Sequence, residues 1–294
     1  MRINNNITAL NSHRNYGINN GKLSKNMEKL SSGFRVNRAA DDAAGLAISE
    51  KMCSQIRGLN MASKNSQDAV SLVQTAEGGM QTIQDILQRM RELAVQARSD
   101  TNHVSVDRDA LQLEIAQLIE EIDEIADSTE FNKMKLLNAD EAGYRQENFM
   151  INGSLANVGH WIIQAGANEG QTMTVTIRDL TAVGLDVHDV RVDGGTSQIA
   201  GDNANDALVR IDSAINSVSM QRATLGAYQN RLEFKIQNLD NQAENVSAAE
   251  SRIRDADMAK MMTEFTKNSI LFQASTAMLA QANTLPQSVL QLLG

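Results

Sequence analysis

Apolar residues return every three to four positions over most of this chain. In the N-terminal half they form two runs, Val73, Ala76, Met80, Ile83, Leu87, Met90, Ala94 and Ala97, then Leu111, Ile115, Leu118, Ile122 and Ile125. From residue 205 a third run passes through Ile211, Ile215, Val218, Arg222, Leu225, Gln229, Leu232, Ile236, Leu239, Ala243, Val246, Glu250 and Ile253 in alternating steps of four and three. A sustained period of about 3.5 residues is the signature of coiled-coil seams. Three seams of one period predict a three-helix bundle whose third helix comes from the far end of the chain. A helix of about 45 residues would be roughly 70 Å long at its rise per residue. The pattern therefore predicts a mainly α fold, a long coiled-coil helical rod built from both chain ends.

The ends extend the pattern more weakly. Met1–Leu30 is helix-like, with Ile3, Ile7, Leu10, Leu23, Met27 and Leu30 expected on one side. Gly17 and Gly21 each cost about 1 kcal/mol of helix propensity relative to Ala, which makes the segment marginal alone. Ser31-Ser32-Gly33 reads as a helix stop, and Asp41-Asp42 as the cap of the next helix. From Asn268 to Gly294 there is no charged residue, yet Gln, Asn, Ser and Thr interrupt Ile270, Leu271, Phe272, Met278, Leu279, Leu285, Val289, Leu290, Leu292 and Leu293. That run is too polar to span a bilayer and reads as a surface to be buried.

The middle changes period. Met173, Val175 and Ile177 alternate with Thr172, Thr174 and Thr176, and Gly166–Gly170 forms a turn after Trp161-Ile162-Ile163. A small β-hairpin region at about 139–204 follows. Gly194–Asn205 is rich in turn residues and predicts an exposed loop before the last long helix.

Composition supports helices: one proline and 3% aromatic residues do not suit an enzyme core. The net charge of −9 argues against nucleic acid as main partner. The start is locally basic, with Arg2, Arg14, Lys22, Lys25, Lys29, Arg35 and Arg38 against Glu28, Asp41 and Asp42 before residue 45. A phosphate or membrane surface could meet such a stretch, but a solvated or inter-subunit face is the favoured reading. Met1–Ser12 lacks the pattern of a cleavable signal peptide, so export would use another route. Cys53 is the single cysteine, which rules out an internal disulfide and points to a packing role.

Catalytic chemistry is not suggested. His13, His103, His160 and His188 are scattered, and no His-Glu-x-x-His is present. Asp186, His188, Asp189 and Asp193 read as a polar exterior rather than a cation site. We expect no enzyme activity, cofactor or metal.

Seven motifs in order carry a resemblance. They are Arg2-Ile-Asn-Asn-Asn-Ile-Thr-Ala-Leu10, Leu30-Ser-Ser-Gly-Phe-Arg-Val-Asn-Arg-Ala-Ala-Asp-Asp-Ala-Ala-Gly-Leu-Ala-Ile-Ser49, and Gln88-Arg-Met-Arg-Glu-Leu-Ala-Val-Gln-Ala97. Glu130-Phe-Asn-Lys-Met-Lys-Leu-Leu-Asn138, Gly166-Ala-Asn-Glu-Gly-Gln-Thr172, Arg252-Ile-Arg-Asp-Ala-Asp-Met-Ala259 and Val289-Leu-Gln-Leu-Leu-Gly294 complete the set. The chain resembles bacterial flagellins over nearly its whole length.

The resemblance implies a structural subunit of the extracellular flagellar filament, used in swimming motility. It implies terminal filament-core helices at 1–44 with 255–294 and a rod domain at 45–254 holding three long helices and the hairpin region. With little room for an outer domain, this would be a near-minimal member. Polymerisation would use the terminal seams at Ile3, Ile7, Leu10, Phe265, Phe272, Leu279, Leu292 and Leu293. Partners implied are further copies of the chain, a flagellar export chaperone and a filament cap protein, with no nucleic acid and no membrane insertion. The helical pattern puts Leu87, Met90, Ala94 and Ala97 in a seam and Arg89, Leu93 and Gln96 on an outer or inter-subunit face. With Glu114 on the adjacent helix, these three resemble the surface by which vertebrate Toll-like receptors detect monomeric flagellin. Two other readings stay open: a hook–filament junction protein, which shares the end segments, and a secreted coiled-coil adhesin that never polymerises.

Overall fold

The computed structural model describes residues 6–99, 106–138, 149–151, 154–156, 158–193 and 197–293. Helices α1 (Ile7–Ser32), α2 (Ala43–Arg98) and α3 (Asp107–Ser128) come first. Among the described residues six short strands follow, β1 (Glu130–Phe131), β2 (Met134–Lys135), β3 (Phe149–Ile151), β4 (Ser154–Ala156), β5 (Val158–Gln164) and β6 (Thr172–Arg178). Helices α4 (Ser197–Arg254) and α5 (Met258–Leu293) complete the chain. The strands form three antiparallel pairs, β1–β2, β3–β4 and β5–β6.

Local chemistry sets these boundaries. The Asn6 side chain accepts from the Ala9 amide and opens α1. Gly33 closes it in the left-handed region at φ 74°, its N–H donating to the Lys29 carbonyl at 2.9 Å. Asp42 Oδ1 accepts from the Gly45 amide at 2.8 Å as the cap of α2. A Cβ at Gly45 would lie 2.3 Å from that carboxylate, so a larger residue there would push the capping side chain aside. The β1–β2 turn uses Asn132 and Lys133 at φ 51° and 63°, the double left-handed geometry suited to a two-residue hairpin.

Contacts divide the chain into two compact units, 57–242 and 1–56 with 243–294, whose boundaries fall within α2 and α4. In the 57–242 unit, α2, α3, α4 and the β5–β6 hairpin share one apolar core. All eight α2 seam positions from Val73 to Ala97 are fully buried, as are Ile115 and Ile122 of α3. Leu111, Leu118 and Ile125 pack against them half-buried. Trp161 pairs with Val175 across the hairpin, and both face the core.

The predicted α4 seam is corrected at Arg222. Ile211, Val218, Leu225, Leu232 and Leu239 are buried and Ile215 packs half-buried against the core, but Ala207, Ala214 and Gln221 are buried as well, and Gln221 rather than Arg222 is the buried polar residue. The hairpin causes this shift by covering that side of the helix. Gln221 Nε2 donates to the Thr176 carbonyl at 2.9 Å, and the Tyr228 hydroxyl lies 3.2 Å from Thr176 Oγ1. Displaced toward the edge, Arg222 reaches Gln84 Oε1 at 2.6 Å and Glu77 at 3.6 Å.

A second correction concerns Gly194–Asn205. Helix α4 already begins at Ser197, and Ala204 is fully buried. The polar residues that suggested a loop are used as side-chain donors and acceptors. Asn203 Nδ2 donates to the Asp193 carbonyl at 2.7 Å, and Asn205 Oδ1 accepts from Arg98 Nε at 3.1 Å.

Candidate functional site

The unit of 1–56 with 243–294 is built differently. Helices α1 and α5 pack on each other. The inner face of α5 steps through Met261, Phe265, Asn268, Phe272, Ser275, Leu279 and Ala282, a regular alternation of four and three. Its counterpart on α1 is Ala9, Ser12, Tyr16, Asn19, Leu23, Asn26 and Leu30. Much of this α1 seam is polar. Asn19 Nδ2 donates to Ser275 Oγ at 2.7 Å, Asn6 Nδ2 donates to the Ala282 carbonyl at 2.8 Å, and the Tyr16 and Phe272 rings meet at 5.1 Å.

This arrangement overturns the expectation that Ile7, Leu10, Leu23, Met27 and Leu30 share one side. Leu23 and Leu30 are half-buried, but Ile7 and Leu10 are 62% and 67% exposed, and Ile18 and Met27 are exposed with them. The reason is that the first half of α1 presents Ser12, Tyr16 and Asn19 to α5 and turns Ile7, Leu10 and Ile18 outward, whereas Leu23 and Leu30 lie on the inner face. On α5 the inner face is mostly apolar, yet Met258, Met262, Ile270, Leu271 and Met278 are still left exposed. An open groove runs along this face, lined by Met262, Thr263, Thr266, Lys267, Ile270 and Leu271. Of the expected assembly residues, Phe265, Phe272 and Leu279 therefore sit half-buried within the α1–α5 seam, while Ile7 and Leu10 face away from it. Ile3 and the side chains of Leu292 and Leu293 lie outside the described residues.

The turns at the two helix breaks are tied together. Phe34 and Asp255 form an antiparallel β-bridge. The Arg35 amide donates to the Arg254 carbonyl at 2.7 Å, and the Ala256 amide to the Gly33 carbonyl at 2.9 Å. The Arg254 guanidinium lies over the Phe34 ring at 4.4 Å. The sequence marks the first break at Ser31-Ser32-Gly33, and the resemblance puts a domain boundary at 254/255, but neither reveals that the two turns pair. Within the first turn, Glu28 accepts from Arg38 Nε at 2.7 Å and from Asn37 Nδ2 at 3.1 Å. Asp41 Oδ2 accepts from the Arg38 and Asn37 amides at 3.2 and 3.3 Å. The Arg38 amide above all holds the Asp41 carboxyl below the ordinary aspartate range; desolvation opposes it, and the Asn37 amide and the Lys29 and Lys25 charges add to the lowering.

In the 57–242 unit the predicted ridge splits. Arg89 is exposed, its Nη2 and Nε donating to Glu114 Oε1 at 2.9 and 3.1 Å and its Nη1 to Glu92 at 3.1 Å. The bond to Glu114, followed by that to Glu92, holds its guanidinium more firmly protonated than usual. Gln96 is exposed as expected. Leu93 is not: it is 1% exposed and belongs to the core. Helix α2 lies between α3 and α4, as the Arg89–Glu114 and Arg91–Asp212 ion pairs mark, so its buried stripe is wider than a two-position seam. Cys53 is half-buried, 3.6 Å from Glu250 Oε1. Among the described residues no cluster of His, Cys, Asp or Glu could hold a metal ion, and no helix is long and apolar enough to cross a membrane.

The family model for the bacterial flagellin N-terminal helical region matches residues 3–142, and that for the C-terminal helical region matches 208–293. The chain is 52% identical to a flagellin of Bacillus subtilis, with all of both chains covered. The chain belongs to the bacterial flagellins. It is also 49% identical, again over the full length of both chains, to the flagellar filament 31.3 kDa core protein of Treponema maltophilum. Among solved structures it resembles a Bacillus cereus flagellin, at 31% identity and a TM-score of 0.47, covering 64% of this chain and 94% of that one. The flagellin models thus span α1 to α3 at one end of the chain and most of α4 with α5 at the other.

Proposed function

We propose that this flagellin, a structural subunit of the flagellar filament, assembles by burying the outward apolar faces of α1 and α5 against further copies of itself. One observation carries the reading. Helix α1 has no buried residue, and Ile7, Leu10, Ile270 and Met278 stand exposed on a helix pair whose inner seam is partly polar. A pair of helices so thinly packed gains little from docking on itself. Copies meeting through two different surfaces form a heterologous contact that does not close, and such a contact propagates as a fibre. In this reading residues 1–44 and 255–294 form the filament core domain and 45–254 the rod domain. The terminal segments are disordered in the free subunit and order on assembly, which suits unfolded export and capture of the C-terminal segment by a chaperone before addition beneath a cap protein.

Receptor recognition is a second reading, favoured by the exposed Arg89–Glu114 pair beside Gln96. Leu93 would then support that surface from beneath rather than touch a Toll-like receptor.

Seeded polymerisation of the full chain, beside a truncation ending at Asp255, tests the principal reading. Filaments from the full chain and none from the truncation are expected. Filaments from both, or a folded full chain that stays monomeric with seeds, would overturn it.

A further inference from the structure

Helix α1 contains a chemical hazard that its assembly role does not explain. The sequence holds two Asn-Gly pairs, Asn20-Gly21 and Asn152-Gly153. Asn20-Gly21 lies in the middle of α1, with Asn20 exposed and Gly21 facing open space: a Cβ there would meet nothing within 4 Å. Glycine leaves the backbone nitrogen after asparagine unshielded. That nitrogen can attack the side-chain amide, forming a Cγ–N bond and breaking the Cγ–Nδ2 bond with loss of ammonia. Water then opens the cyclic imide to aspartate or isoaspartate. A formed helix blocks the attack, because the Gly21 N–H is committed to the carbonyl four residues back and the backbone is fixed.

We propose that Asn20 is a deamidation site gated by the folding of α1, so that a subunit left unassembled ages chemically whereas one in a filament does not. The proposal rests on the reading that α1 is disordered before assembly. Three features support the gate. Helix α1 buries no residue. Gly17 and Gly21 lower its propensity by about 1 kcal/mol each. Its seam to α5 is partly polar, through Asn19 and Ser275. Isoaspartate is the damaging product, since it adds a methylene to the main chain and breaks the helical hydrogen-bond register one residue after the Asn19 contact. A subunit carrying it should add poorly to a filament end, which would retire aged monomer from the assembling pool.

The test incubates full-length monomer and filaments made from the same preparation at mildly alkaline pH and follows the Asn20 peptide by mass spectrometry, resolving aspartate from isoaspartate. Asn20 should deamidate in the monomer and about tenfold or more slowly in filaments, because protection scales with the free energy of local opening. G21A should abolish the fast reaction. G17A keeps the Asn-Gly pair but strengthens the helix, and should slow the reaction in the monomer. Equal rates in monomer and filament, an intact Asn20 in the monomer, or a G17A rate equal to that of the parent would each overturn the gate. If no filaments form at all, the assembly reading fails first, and the monomer rates with and without G17A still decide whether α1 opening controls the chemistry.

Discussion

In the 57–242 unit every α2 seam residue from Val73 to Ala97 is fully buried, whereas in the unit of 1–56 with 243–294 helix α1 buries none. The two regions use the same heptad spacing for different ends. In the first, three helices and a hairpin surround one apolar core, so the seam is satisfied within one chain. In the second, two helices meet through Asn19, Ser275, Tyr16 and Phe272 while Ile7, Leu10, Ile270 and Met278 point to solvent. Periodicity alone therefore does not tell whether a seam is closed inside the subunit or left for a neighbour. Which residue types occupy the inner positions does.

Leu87→Ala should break the comparison from the well-packed side. Removing a fully buried leucine costs about 2–5 kcal/mol, so thermal unfolding of the 57–242 unit should move down by many degrees, with assembly lost only as a consequence. Ile270→Ser probes the open side. If this residue is buried in the filament, the lost transfer free energy is about 1.5–3 kcal/mol, so the critical concentration for polymerisation should rise roughly tenfold or more. The melting temperature of the free subunit should stay within a degree or two of the parent. Loss of monomer stability with unchanged critical concentration would reverse the assignment of that face.

Smaller effects sharpen the picture. Tyr228→Phe removes the hydroxyl beside Thr176 and should destabilise the hairpin against α4 by about 0.5–1.5 kcal/mol, measured by denaturant unfolding. Asp41 gives the smallest signal. Its carboxyl is held below the ordinary aspartate range, so its contribution is fully present above that range and is lost as the pH falls through the lowered folded value. Acidification should loosen the 37–42 turn, seen as lower amide protection factors at Asn37 and Arg38 once the intrinsic pH dependence of exchange is divided out, and Asp41→Asn should remove that change.

Much of this was legible in the residues. The α2 seam, the Gly33 stop, the Asp42 cap and the β5–β6 hairpin all follow from local rules that the structure keeps. The failures share one cause, a partner that the helix's own sequence does not reveal. Leu93 is buried because α2 is flanked on two sides, and Gln221 replaces Arg222 in the core because the hairpin rotates the covered face of α4. Ile7 and Leu10 share an apolar pattern with Leu23 along the sequence but not a face in the fold, where α5 offers Asn268 and Ser275 among its own inner positions. The Phe34–Asp255 bridge joins residues too distant in sequence for any local pattern to pair.

The central claim is that the outward faces of α1 and α5 are closed by other copies of the chain, while the 57–242 core is complete on its own. Hydrogen exchange by mass spectrometry on free subunit and filament measures both halves at once. Strong new protection is expected across residues 7–32 and 258–293 in the filament, with the α2 and α4 segments of the 57–242 core already protected in the free subunit. Equal protection of α1 and α5 in both states, or new protection concentrated in the core helices instead, would contradict it.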